Sequence, residues 1–136
     1  MRFDSKPVRI TVTVLSVLLA LMFLGASVPK LLGAPDAVAG FAKYGYPDWV
    51  RLVVGVTEVV AAVLLLVPRL AWVGAAAIAV IMVGATYTHL VLGSGEGANA
   101  VVTLSLLAVA SFIAYARWPR AQVNAADVRR GAASVR

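Results

Sequence analysis

Five polar residues in this chain could line a ligand pocket: Lys30, Glu58, Thr86, His89 and Asn99. Glu58 is the most informative, because it stands inside an otherwise apolar run over residues 49–67. An ionisable side chain at that depth of a bilayer costs a few kcal/mol to insert, so it normally faces the bundle interior and marks a functional site. A carboxyl, an amine and an imidazole can bind a polar headgroup or exchange protons with a ligand. No residue is assigned a catalytic role.

Each candidate also has a purely structural interpretation. Lys30 can extend to the membrane interface, and His89 can make ordinary interfacial hydrogen bonds. Glu58 can form an interhelical hydrogen bond as a protonated acid, since burial disfavours the carboxylate unless Lys30 or Arg51 pairs with it. The spacing places Glu58 about 16 Å inside its helix and His89 one turn from the end of the next, so the two need not touch. We expect Lys30, Glu58 and His89 to converge on one cavity, with Thr86, Tyr87 and Asn99 nearby.

The composition limits the class of protein and the chemistry. The chain has 136 residues, of which 62% are hydrophobic and 13% charged. That is too little polar surface for a soluble domain. With no cysteine and one histidine, thiol relays, thiolate metal or iron–sulfur sites and bis-histidine haem ligation are excluded for this chain alone. We assign no metal site and no evident cofactor; a quinone is the ligand considered.

Four apolar runs, over residues 10–28, 49–67, 70–92 and 98–116, are each close to the ~20 residues that span a bilayer. Short connections make the last three antiparallel neighbours. In the longer first connection, Pro35 and Asp36 indicate a helix start. The prediction is an all-α, four-transmembrane-helix, up-down-up-down bundle over residues 1–117, with a short interfacial helix between helices 1 and 2. Residues 118–136 are predicted to form a basic, disordered cytoplasmic tail.

The net charge of +6 reflects topology rather than nucleic-acid binding. One side of the predicted bundle carries three Lys or Arg residues, Lys30, Lys43 and Arg51. The other carries nine: Arg2, Lys6, Arg9, Arg69, Arg117, Arg120, Arg129, Arg130 and Arg136. By the positive-inside rule both termini are cytoplasmic, in a multi-pass protein of a bacterial cytoplasmic membrane. A cleaved signal peptide is the competing interpretation of the N-terminus; its apolar run is too long and lacks cleavage-site chemistry.

Helical periodicity predicts which way Glu58 points. Its face carries Gly55, Ala61 and Ala62, whereas bulky valines such as Val56 and Val60 lie on the opposite face. Small residues let helices approach closely, so this segregation turns Glu58 inward. Phe41, Tyr44, Tyr46 and Trp49 are predicted to form an aromatic belt at one interface, and Trp72 and Trp118 at the other.

Residues 25–33, 41–49, 55–69 and 84–90 together resemble the DoxX-like family of four-helix membrane proteins. The most specific features are the G-x4-K-L that contains Lys30, the G-x2-E that ends at Glu58 and the late histidine of the third long helix, His89. The resemblance runs from about residue 12 to residue 116. It implies kinship with a membrane subunit of thiosulfate:quinone oxidoreductase, and with members that act as partners or assembly factors of redox enzymes.

The preferred function is an auxiliary, assembly or anchoring subunit of a membrane-associated redox system. A small polar pocket in the outer half of the helix bundle would hold a quinone or lipid headgroup. On its own the chain is more consistent with a non-enzyme. The alternative is a membrane subunit of a quinone-coupled oxidoreductase, in which Glu58 and His89 move protons. A small proton-coupled transporter is disfavoured, because the nine-to-three charge bias fixes one orientation. The expected partners are the lipid bilayer and a redox-enzyme or membrane-protein partner, with a homo-oligomer left open and no nucleic acid.

Overall fold

The computed structural model describes residues 5–119 and 130–134, and within them every regular element is helical. The helices are α1 (Lys6–Leu32), α2 (Pro35–Lys43), α3 (Asp48–Leu66), α4 (Ala71–Tyr87), which continues as a π-helical turn (Thr88–Leu92), and α5 (Gly97–Arg117). Four of these segments are long and apolar enough to cross a membrane. The predicted all-α fold with four spanning helices is confirmed. Most of the predicted tail, residues 120–129 and 135–136, lies outside the described residues.

The long helices pack in the order α1, α3, α4, α5, with a smaller contact between α1 and α5 and with α2 resting on α3 and α1. Small residues dominate the contacts. In α3 the buried residues are Arg51, Gly55, Glu58, Ala61, Ala62 and Leu65, whereas Val53, Val56, Val60 and Val63 are exposed. Glu58 therefore faces inward, as the distribution of small residues predicts.

Two glycines of this bundle permit close helix approach. A Cβ on Gly74 of α4 would lie 2.5 Å from the carbonyl oxygen of Ala61 and 2.8 Å from the amide nitrogen of Leu65. A Cβ on Gly55 of α3 would meet the side chains of Leu31 and Lys30 at 3.0 to 3.2 Å. Gly55 thus brings the end of α1 against α3, one turn before Glu58.

α1 ends later than the sequence indicates. A proline such as Pro29 is expected to kink or end a helix; α1 does not end there but continues to Leu32, and Gly33, whose φ is 69°, caps it. Proline removes one N–H donor yet has a helical φ, so a helix can pass through it. Glycine adopts the left-handed conformation without steric cost and is the usual residue after a helix C-terminus.

The two ends of the bundle differ in their connections. One end, here called the α2 end, contains α2 and the connection from the π-turn to α5; the other, the termini end, contains the start of α1, the α3–α4 turn and the end of α5. Trp72 and Trp118 lie together at the termini end, with ring centroids 4.7 Å apart. The packed apolar core, which includes Val12, Phe23, Ile78 and Ile113, leaves space between α1 and α4 at the α2 end.

Candidate functional site: a cavity at the α2 end

A cavity of about 900 Å³ lies between the α2 ends of α1, α3 and α4, beside α2. Its volume is within the range of sites that bind small organic ligands, ~300 to 1,000 Å³. Most of its lining is apolar, with contributions from residues such as Pro29, Phe41, Val54, Ile81 and Met82. The polar part of the lining comprises Lys30, Asp36, Tyr44, Tyr46, Glu58, Thr88 and His89. The cavity is therefore amphiphilic.

Lys30 and Glu58 form an ion pair across α1 and α3. The Lys30 ammonium donates to both carboxylate oxygens, at 3.0 Å to Oε2 and 3.2 Å to Oε1, and also to the Ala26 carbonyl at 3.0 Å. The Glu58 side chain is 4% exposed and that of Lys30 is 19% exposed. A buried carboxylate needs such a partner, because an unpaired charge is costly in a low-dielectric interior. Lys30 thus turns into the bundle instead of extending to the interface.

Arg51 fixes the end of α1 that carries Lys30. Its guanidinium is buried, donates through Nη1 to the Lys30 carbonyl oxygen, and pairs with Asp48 through Nε and Nη2 at 2.8 Å. The last carbonyls of a helix have no partner within that helix, so a side-chain donor there satisfies a group that would otherwise be buried unpaired. Arg51 is the other cation considered for Glu58; it holds the α1 backbone instead.

A second polar cluster, centred on Glu96, lies at the same end. The Glu96 carboxylate accepts from the Lys43 ammonium and the Tyr44 hydroxyl, and its Oε2 lies 2.7 Å from His89 Nδ1. Hydrogen bonds from Lys43, then Tyr44, then His89 lower the pKa of Glu96 to about 2. The bond to Glu96 in turn raises the pKa of both Lys43 and Tyr44. Glu96 therefore remains a carboxylate at neutral pH and ties α2 to the π-turn.

Tyr44 and Tyr46 follow α2 and fold over the π-turn. The Tyr46 hydroxyl lies 2.8 Å from Thr88 Oγ1, and the Tyr44 ring stands edge-on to the His89 ring at a centroid distance of 5.9 Å. The sequence predicts both tyrosines in an aromatic belt, but their hydroxyl groups are directed at cavity and loop residues. π-Helical turns are rare and frequently occur at functional sites; this one carries Thr88 and His89 on the cavity wall.

The structure brings together three of the five sequence candidates, Lys30, Glu58 and His89. Thr86 lies outside the lining, because its hydroxyl donates to Thr103 Oγ1 at 2.8 Å in the α4–α5 contact. Asn99 is exposed near the start of α5, a helix that contributes nothing to the described lining. Tyr87 is 56% exposed on the outside of α4. Thr86 and His89 are three residues apart on the third long helix, and this spacing alone does not separate the face towards the cavity from the face towards α5.

Sequence reasoning missed Glu96 and Tyr44 as partners of His89, and it missed the hydrogen bond between Tyr46 and Thr88 on the cavity wall. The sequence holds one usable signal: Glu96 is seven residues after His89, across a Gly-rich connection short enough to return the chain to the same end. The tyrosines carry no comparable signal, because a tyrosine near a membrane interface is ordinarily explained by the interface itself. In the described part of the chain, no group of three or more acidic or histidine side chains could hold a metal ion.

A bundle of four membrane-spanning helices with an amphiphilic cavity at one end defines a small integral membrane protein with a candidate ligand site. The model of the DoxX-like family matches residues 14–113. The chain belongs to the DoxX-like family. Comparisons with curated proteins and with solved structures gave no match.

Proposed function

We propose that this protein is an auxiliary subunit of a membrane-associated redox system, which anchors or assembles a partner enzyme and holds an amphiphilic ligand of the quinone or lipid class in its cavity. The cavity at the α2 end carries this proposal. Its apolar walls suit a ring or an acyl chain, while Lys30, Glu58 and His89 supply polar contacts on one side. The family's kinship with a quinone oxidoreductase subunit supports the redox setting.

The electrostatics of the cavity fit a binding role. Lys30 and Glu58 neutralise one another, and the Glu96 carboxylate lies against Lys43 and His89. A ligand with carbonyl or hydroxyl groups can accept from the Lys30 ammonium in place of the Ala26 carbonyl, or exchange hydrogen bonds with the Thr88 and Tyr46 hydroxyls. A neutral ligand with polar oxygens therefore fits better than one with a full charge, since a charge would have to displace an existing ion pair.

The alternative is a membrane subunit of a quinone-coupled oxidoreductase. The arrangement of His89 and Glu96 favours it: an imidazole on the cavity wall, with a carboxylate 2.7 Å from its Nδ1, can pass a proton between a ligand and the loop. In that case a partner protein exchanges the two electrons with the quinone, and His89 and Glu58, which both line the cavity, move the two accompanying protons. The two proposals differ in whether turnover depends on His89.

Co-purification tests both proposals. The tagged chain is extracted from its native membranes in mild detergent, bound partners are identified by mass spectrometry, and quinones and lipids are quantified after solvent extraction. We expect a specific partner enzyme and a stoichiometric quinone or lipid, with ligand reduced in Glu58→Gln and His89→Phe. The matched control is Thr57→Ala, which neighbours Glu58 but bonds to the Val53 carbonyl of its own helix.

The outcomes separate the two functions. Loss of ligand in His89→Phe with normal turnover of the partner complex supports the auxiliary subunit, whereas loss of quinone turnover with ligand still bound supports the oxidoreductase subunit. A specific partner together with an empty cavity would support anchoring or assembly as the function, without ligand binding. If neither a partner nor a ligand accompanies the wild-type chain, both proposals fail.

A further inference from the structure

The charges of the described residues are divided between the two ends of the bundle. All four described acids, Asp36, Asp48, Glu58 and Glu96, belong to its α2 half and are paired there or border the cavity. The termini end instead carries Lys6, Arg9, Arg69 and Arg117 in the described segments, without a described carboxylate beside them. Asp4 and Asp127 lie outside the described residues. Among the described residues, therefore, no carboxylate forms an ion pair with the cations of this end.

Arg117 is partly buried at the end of α5, against α1. Its Nη2 donates to Thr13 Oγ1 at 2.9 Å, which links the two helices. Its Nε is buried and has no hydrogen-bond partner. A guanidinium has five N–H donors, and among the described residues the bond to Thr13 engages one of them.

A shallow recess of about 390 Å³ lies on α1 beside this guanidinium. The described residues that line it are Lys6, Arg9, Ile10, Thr13 and Val14. They share one face of the helix, because their spacing follows the helical repeat of three and four residues. Thr13 belongs both to the recess and to the contact with Arg117, so the Arg117 guanidinium lies beside a recess that Lys6 and Arg9 line.

An apolar stripe continues from the recess along α1. Ile10, Val14, Val17 and Leu21 follow one another at helical spacing and are between 40% and 63% exposed. In a membrane-spanning helix such a stripe faces hydrocarbon. A ligand with its anionic group in the recess would therefore have a direct path for acyl chains towards the bilayer centre.

We propose that the recess at the termini end binds the phosphate group of an anionic phospholipid, with Lys6, Arg9 and Arg117 around the headgroup and the acyl chains along the α1 stripe. Basic pockets at the ends of membrane helices bind the headgroups of acidic lipids. A zwitterionic phospholipid carries the same phosphate, but its ammonium group is repelled by three neighbouring cations. The recess is separate from the cavity of the proposed function, since the two lie at opposite ends of α1.

Native mass spectrometry of the full chain, released from detergent, measures this preference. The probes are phosphatidylglycerol and phosphatidylcholine with identical acyl chains, present in equal amounts. We expect the wild-type chain to retain phosphatidylglycerol preferentially. Arg9→Gln and Arg117→Gln should each weaken its binding about fivefold, the effect of removing one cation near an anionic lipid surface.

Arg69→Gln is the matched control. It removes the same charge at the same end, but Arg69 lies in the turn between α3 and α4, away from the recess. Arg69→Gln should change the binding of phosphatidylglycerol by no more than about twofold, because Arg69 does not line the recess and an exposed charge contributes little at a distance. Thr13→Val leaves the charge unchanged and removes the hydroxyl that accepts from Arg117, so it should weaken binding by a factor between those of Arg69→Gln and Arg117→Gln. This variant tests the role of Arg117 even if Arg117→Gln fails to fold.

Three results would overturn the proposal. They are equal retention of the two lipids, a loss in Arg69→Gln as large as in Arg9→Gln, and displacement of the lipid by a tenfold excess of inorganic phosphate. The second result would indicate general attraction by surface charge, and the third a site for the free phosphate ion.

Discussion

The ammonium of Lys30 in α1 contacts both carboxylate oxygens of Glu58 in α3, at 3.2 and 3.0 Å. The two residues are 28 positions apart, and α2 lies between them in the chain. Gly55 allows α1 to approach α3 closely, and the Arg51 guanidinium donates a hydrogen bond to the Lys30 carbonyl oxygen. One helix contact thus places both members of the pair on the wall of the same cavity.

We expect removal of Lys30 to destabilise the protein more than removal of both partners. Removing one partner of a buried ion pair typically lowers stability by about 3 to 5 kcal/mol, because the other charge is left unpaired. We expect a loss near the lower value, because Glu58 can take up a proton and so lose its charge. Lys30→Met should therefore lower the unfolding temperature in nanodiscs, and Lys30→Met/Glu58→Gln should recover part of the loss. Equal unfolding temperatures for wild type and Lys30→Met would show that the pair contributes nothing to stability.

Gly74→Ala should destabilise the contact between α3 and α4. The added Cβ would meet backbone atoms of Ala61 and Leu65, which cannot move aside as a side chain can. Overpacking of this kind costs about 1 to 3 kcal/mol. Gly84→Ala in the same helix is the control, because its Cβ would have no neighbour within 4 Å. In thermal unfolding followed by circular dichroism, the unfolding temperature of Gly74→Ala should be lower than that of wild type, and that of Gly84→Ala should be equal to it or higher.

The Glu96 cluster should stabilise the α2 end in a pH-dependent way. The pKa of Glu96 is lowered to about 2 from an ordinary value of 4.5, chiefly by hydrogen bonds from Lys43 and Tyr44. A depressed pKa contributes stability that is fully present above the unfolded-state pKa and is lost as the pH falls through the folded-state pKa.

The difference in unfolding temperature between wild type and Glu96→Gln should therefore be larger at pH 5 than at pH 2, and should shrink as the pH falls from 4.5 to 2. In this acidic range only carboxyl groups titrate, and Glu96 is the carboxyl group that differs between the two proteins. A difference that grows as the pH falls would contradict the cluster observed here.

Both termini should face the cytoplasm. Nine of the 12 Lys and Arg residues lie on the predicted cytoplasmic side of the bundle. Tags at either end should resist added protease in intact spheroplasts and become accessible after lysis, whereas a tag placed at Gly95, between the π-turn and α5, should be cleaved in both preparations. Cleavage of a terminal tag in intact spheroplasts would reverse the topology.

The sequence by itself determined the four spanning helices, the short helix between the first two, and the inward direction of Glu58. These features depend on local properties: the length of an apolar run, a Pro-Asp helix start, and small residues that recur on one face. Each is set by residues within a few turns of one another. For this reason the apolar runs match the observed helices closely, and the main difference is the longer α1.

Only the tertiary structure decided the partners of these side chains. Lys30 could reach the interface or the interior, and the approach of α1 to α3 at Gly55 directs it to Glu58. Glu96 joins His89 and Tyr44 because the α5 connection returns beside the residues that follow α2. Thr86 leaves the cavity because α5 packs on its face of α4. Each outcome depends on which helices are neighbours and how deeply they overlap, and helical periodicity within one segment contains no information about either.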